Sequence, residues 1–278
     1  LPYDPDKSLI PITMLARSGS FVIVHPSVPA KNLRELVEKQ INGAYPDAEI
    51  VVVDEGAAKQ RKGILVGNEY NIFKESGKVA FASLKLKKSD YEPIKVYKDL
   101  PIDPLSSITS VLAKMTEGEG AAVQILTTPA DSKWKKMGRS HIAKTKKAEA
   151  NPETAKYSAD AKELEAIENK IGKPGFDVVV RIVVSSSTKE SAQAHLGNIV
   201  SAFSQFDGIN SFKKNKHRFK SLFLVDFLYR YMPMRGQTSV LSSEELATIF
   251  HVPSSTVEAP RLPRIQSATS GAPANLPT

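Results

Sequence analysis

Cysteine is absent from the chain. Its absence excludes disulfides and thiolate metal sites, and it fits a reducing compartment. Long apolar runs are missing as well. Nothing approaches the roughly 18 uninterrupted apolar residues of a membrane-spanning helix, and no signal peptide opens the sequence. The sequence starts at Leu1 rather than at a methionine, which leaves room for residues upstream. The phosphate-cradling pattern GxxxxGK followed by Ser or Thr does not occur. The nearest stretches, GILVG and ESGKV, lack the glycine spacing and the hydroxyl after the lysine. No HExxH pair is present, and His25, His141, His195, His217 and His251 stand in unrelated contexts, so no metal or nucleophile set is assigned. No catalytic residue, metal, cofactor or small-molecule substrate is therefore expected within this chain.

What is present reads as a folded, basic protein. Its 278 residues suffice for two modest domains or one large one. Hydrophobic content of 41% and charged content of 24% are near globular averages and exclude wholesale disorder. The net charge of +8 and pI ≈ 9.4 favour an acidic partner, either nucleic acid or an anionic membrane face, with general solubility as the alternative.

Along the chain, SFVIVH at 20–25 and EIVVV at 49–53 read as strands on either side of a helix. Leu33, Leu36, Val37 and Ile41 give that helix its spacing. A polar loop follows over 54–77, then a strand at 78–88. A helix capped by Asp103 starts at Pro104, and a further strand covers 121–128. Strand, helix, strand, strand, helix, strand is the order of a ferredoxin-like βαββαβ sandwich, an α+β fold with one antiparallel sheet backed by two helices. A further βαβ unit is expected from a strand at 176–186, a helix from about 189 to 206 and a short strand near 209–212. Asp177 and Arg181 alternate with apolar neighbours in its first strand, so one side of that sheet is expected to be solvated. Ser185, Ser186 and Ser187 read as a helix cap. The expected organisation is a ferredoxin-like unit over 1–130, then a charged helical insertion over 131–173, either two exposed helical arms around a break at Asn151-Pro152 or a partly mobile stretch. A second α+β unit with C-terminal helices covers 174–258, the last of them signalled from Ser242 to Phe250. A proline-rich linker follows over 259–278.

Two basic clusters are the candidate binding residues. The first holds Lys133, Lys135, Lys136, Arg139, Lys144, Lys146 and Lys147, with Trp134 among them. The second holds Lys213, Lys214, Lys216, His217, Arg218 and Lys220, flanked by Phe212 and Phe219. Lysine and arginine neutralise phosphates, and an interleaved aromatic stacks on an exposed base. The alternative is a solvated surface, and an acidic run at Glu163, Glu165 and Glu168 compensates the first cluster. After the second cluster, SLFLVDFLYRYMP reads as a helix buried on more than one side, either inside this fold or against a partner domain.

Taken in order, several stretches resemble the region ahead of the motor in bacterial ATPases of the type IV secretion and conjugation class, relatives of the HerA and FtsK DNA pumps. The markers are Gln40 with Tyr45-Pro46-Asp47, Asp103-Pro104-Leu105, Gly118-Glu119 before Gln124, Trp134, and Leu241 to Pro253 with Pro260. In that family a linker like Ala274-Asn275-Leu276-Pro277 leads into the nucleotide-binding domain. The resemblance therefore implies a non-catalytic assembly and positioning region. Its partners would be its own ATPase domain beyond Thr278, sister copies in a hexamer, secretion-complex components and DNA. ATP and Mg would be needed only in that motor domain, and the location would be cytoplasmic, at the inner face of the cell membrane. The family's ATP-binding lysine, Mg-binding carboxylate and arginine finger have no position here, so no catalytic residue carries over. The competing expectation is a free-standing nucleic-acid-binding protein that uses the two basic clusters.

Overall fold

The computed structural model describes residues 10–17, 39–43, 72–73, 77–116, 119–150, 161–215, 217, 219–233 and 236–251. The strands expected at 20–25 and 49–53, the 54–77 loop apart from 72–73 and 77, and the proline-rich 259–278 lie outside these residues. Of the first expected helix, 39–43 are described and are helical. The strands are β1 (Ile10–Arg17), β2 (Lys78–Leu86), β3 (Gly120–Pro129), β4 (Gly175–Ser186), β5 (Phe212–Asn215) and β6 (Ser239–Ser242). The helices are α1 (Pro104–Ala113), α2 (Lys133–Glu149), α3 (Ala161–Gly172), α4 (Lys189–Ala202), α5 (Lys220–Leu228) and α6 (Ser243–Ile249).

All strands join one antiparallel sheet in the order β1-β3-β4-β2-β5, with β6 also paired to β4. β4 is the hub. It pairs with β3 on one side from Gly120↔Ser185 to Pro129↔Phe176. On the other side β2 takes its later half, to Leu84↔Val180, and β6 its first residues, Gly175↔Ser242 to Val178↔Ser239. The α+β class and the sheet backed by two helices are as expected. The strands that build them are regrouped, because β2-α1-β3 and β4-α4-β5 interleave as two split βαβ units of a single sheet. Among the described residues, β2 and β3 both pair with β4, so the sheet runs across positions 130 and 174. Alternation reveals that a segment is a strand but not which strand it pairs with.

One face of the sheet carries α1 and α4. Asp103 caps α1 by accepting from Leu105 N at 2.9 Å, with Pro104 at the first turn. Thr188, not the serines before it, caps α4 through Ser191 N at 3.1 Å. Leu105, Ile108 and Leu112 from α1 and Ala192, Leu196 and Ile199 from α4 bury against Val180, Ile182 and Val184 of β4. Phe203 and Phe206 continue this core, and Phe212 of β5 packs edge-on against both.

Around Arg181 the opposite face is not solvated, which corrects the expectation drawn from Asp177 and Arg181. Phe223 and Phe227 of α5 lie against Ala122 and Val183 and close that face. Arg181 is only 2% exposed. A buried guanidinium survives only when its donors are matched, and here partners meet it on several sides. Nη1 donates to Gln124 Oε1 at 3.1 Å and Asp226 O at 3.0 Å, and Nη2 donates to Tyr231 O at 2.6 Å. Arg230, with φ 57°, takes the left-handed turn that ends α5 and brings the Tyr231 carbonyl within reach.

The 131–173 insertion forms the two helices expected, but they are packed rather than free arms. Trp134, Gly138 and Ile142 of α2 meet Leu164, Ile167 and Ile171 of α3. These residues recur three or four positions apart, a stripe hidden by the charge around it. A Cβ on Gly138 would stand 2.8 Å from Ile171, and one on Gly175 would stand 2.4 Å from the Trp134 ring. Both glycines are there for close approach. Lys170 and Glu245, each 1% exposed, pair at 3.1 Å and join α3 to α6. Glu245 also accepts from Ile94 N and closes the capping box with Ser242.

Candidate functional site

The end of β2, the loop after it, the first turns of α2, and β5 surround one groove. Its cavity of about 340 Å³ is lined by Lys85, Lys87, Lys88 and Lys213, with Tyr91, Trp134 and Met137. Register brings the charges together: Lys85 lies directly opposite Lys213 across the β2–β5 pair, so both side chains point to the same side of the sheet. Lys213 Nζ donates to Lys87 O at 3.3 Å, and Lys88 lies 3.7 Å from Glu92. The acid in the lining, Asp90, is engaged by Val240 N at 3.0 Å. Four lysines around one cavity repel one another, and a bound anion relieves that repulsion. Phosphate-sized ligands fit this chemistry.

The structure places most residues of the two basic clusters, with Lys144, Lys146 and Lys147 exposed toward the end of α2. Trp134 and Lys213, one from each, meet at the groove, but Trp134 is 4% exposed and wedged on Gly175, so its ring does not stack on a base. Lys135 is half-buried and sets its ammonium 5.5 Å from the centre of that ring. Lys133, Lys136 and Arg139 are exposed along α2. Lys214 is exposed on β5, and Lys220 is exposed at the start of α5. Lys216 and Arg218 lie outside the described residues. Phe212 belongs to the core, whereas Phe219 is 59% exposed. Sequence reading missed Lys85, Lys87 and Lys88. The run KLKK at the end of β2 was the available signal, but only the β2–β5 pairing turns it into a site.

Two polar clusters lie elsewhere. Under α5, Ser83 Oγ and His217 Nε2 are 2.6 Å apart. Burial, and next the charge of Arg181, hold His217 below the ordinary histidine range, and Asp226 opposes them. A hydroxyl and an imidazole at this distance have the geometry of an activated nucleophile. Ser83, however, is 1% exposed, and the His217 ring sits 4.5 Å from that of Phe223, so substrate has no access. The pair ties β2 to the segment entering α5.

At the far end of β4, Glu119 accepts from Ser186, Ser191, His195 and Thr116 at 2.7–3.0 Å. Burial would raise its pKa, but the bonds from Ser186, Thr116 and Ser191 outweigh burial and hold it at about 2. The expected cap serine Ser186 instead locks this carboxylate between β4 and α4. No group of acids, histidines or cysteines able to hold a metal ion occurs among the described residues.

Residues 15–264 match the profile of a family described as a domain of unknown function, DUF8128. The chain belongs to that family. No curated protein matches it. Among the described residues, no helix is long and apolar enough to cross a membrane. The family places no activity on the groove, whose reading rests on its chemistry.

Proposed function

We propose that this chain is the non-catalytic assembly and positioning region of a hexameric DNA- or protein-translocating ATPase of type IV secretion or conjugation. In this reading it works in the cytoplasm at the inner face of the membrane, and the groove guides a phosphate backbone toward the motor. The observation that supports the guiding role is the convergence of Lys85, Lys87, Lys88 and Lys213 on one cavity. The sequence resemblance supports the assembly role. A single groove grips weakly, and several copies around a ring supply the avidity.

Two measurements test the two halves of the proposal. For the groove, anisotropy of a labelled single-stranded oligonucleotide is followed across a salt series. Lys85→Glu with Lys87→Glu is expected to abolish retention and to lower the salt slope by about one per lost phosphate contact. Unchanged binding, or none by the parent chain at low salt, removes the guiding role. For assembly, the coding sequence beyond Thr278 is read. A GxxxxGK motif followed by Ser or Thr is expected, and a stop codon there overturns the assembly role. Tight binding by the isolated chain at physiological salt would favour a free-standing nucleic-acid-binding protein, a reading the same groove also supports.

A further inference from the structure

α5 is apolar on two sides, and the fold uses only one of them. Phe223 and Phe227 face inward, while Leu222 is 57%, Val225 42%, Leu228 54%, Tyr229 67% and Tyr231 40% exposed. So dense a set of exposed apolar side chains on one short segment marks a contact surface. Its surroundings are cationic. Lys220 opens the helix and Arg230 follows it. The acid of α5, Asp226, is turned toward Arg181 at 4.0 Å.

From this arrangement we infer that the outer face of α5 seats on an anionic lipid bilayer. A second copy placed face to face would bring lysine against lysine, which disfavours a symmetric dimer. A bilayer instead supplies apolar depth for Leu222, Val225 and Leu228, a headgroup level suited to Tyr229 and Tyr231, and negative charge for Lys220 and Arg230. The inward clamp on Arg181 fixes α5 to the sheet, so the outer side chains are presented without unfolding. The inference rests on the membrane-face location proposed above and names the element that makes the contact.

Because the chain has no cysteine, Leu222→Cys gives a single attachment point for an environment-sensitive fluorophore. Vesicles of phosphatidylglycerol with phosphatidylcholine are expected to blue-shift its emission, and vesicles of phosphatidylcholine alone to do so far less. The same label at Ser107→Cys, exposed on α1 across the sheet from α5, is expected not to shift. In co-sedimentation, Leu222→Glu with Val225→Glu is expected to lower vesicle partition by more than about ten-fold. Lys85→Glu with Lys87→Glu is expected to leave partition within about two-fold, so failure of the groove and failure of α5 are read separately. An unshifted Leu222→Cys label on anionic vesicles overturns the inference. So does equal partition of the Leu222→Glu, Val225→Glu variant. A concentration-dependent dimer abolished by that variant assigns the face to a second copy and overturns it too.

Discussion

On one face of the sheet, α1 and α4 press aliphatic side chains onto β4, and little about the contact is directional. On the other, α5 is held by a row of polar side chains at matched register, Ser83, Arg181 and Gln124 across β2, β4 and β3, that reach up to His217 and to the carbonyls of Asp226, Phe227 and Tyr231. Over the middle of β4 both faces exclude water, yet by different physics. Apolar packing tolerates small shifts of a helix, whereas the polar row fixes α5 at one position and orientation, because a misplaced helix would leave a buried guanidinium unpaired. The difference teaches that alternation along β4 identifies two faces but not which is wet.

Substitutions on the two faces should separate these mechanisms. The largest effect is expected for Phe203→Ala in the apolar core, about 3–5 kcal/mol, with loss of protection throughout the sheet in hydrogen exchange. Arg181→Ala is expected to cost about 2–3 kcal/mol, with amides of α5 losing protection while those of α4 keep it. Equal loss in both helices would break the distinction between a rigid latch and general packing. Ser83→Ala should cost less, about 1 kcal/mol, since it removes one hydrogen bond to His217.

Acidification acts gradually, and each face has its own titrating group. The His217 imidazole is held below its ordinary range by burial and by Arg181, so the folded state resists its protonation. Stability should therefore start to fall as pH drops below about 6.5, the unfolded value. Glu119 is depressed from 4.5 to about 2, so the stability it contributes is complete above 4.5 and is lost as pH falls toward 2. Urea midpoints measured across pH should lose the first phase in His217→Gln and the second in Glu119→Gln. Persistence of both phases in either variant would show that other groups control the acid response.

Much of the fold was legible locally. The strands at 78–86, 120–129 and 175–186, the α1 and α4 starts, and the helix at 243–249 fall within a few residues of expectation, because caps and alternation are local signals. The short strand expected near 209–212 is β5 at 212–215, displaced where Asp207 to Asn210 form a bend rather than a strand. β6 was missed because four residues ending on a capping serine carry almost no periodicity. The wet side was misjudged at Arg181, since what covers it lies 45 residues further on and is itself rich in apolar side chains. For the site, the cationic residues were legible but not their meeting. Trp134 read as an exposed aromatic among lysines, and only the contact with Gly175 shows it to be structural.

The place of β4 in the sheet also sets the order in which the chain becomes stable as it is made. β2 and β3 are not neighbours, because β4 lies between them and is synthesised after both. At about 5–20 residues per second, the stretch from Pro129 to Ser186 takes roughly 3–11 s to make. Throughout that time two apolar strands have emerged or are emerging without their central partner. A nascent chain in this condition presents open strand edges to its surroundings, and the α2–α3 pair, complete just before β4, is the nearest element able to fold beside them.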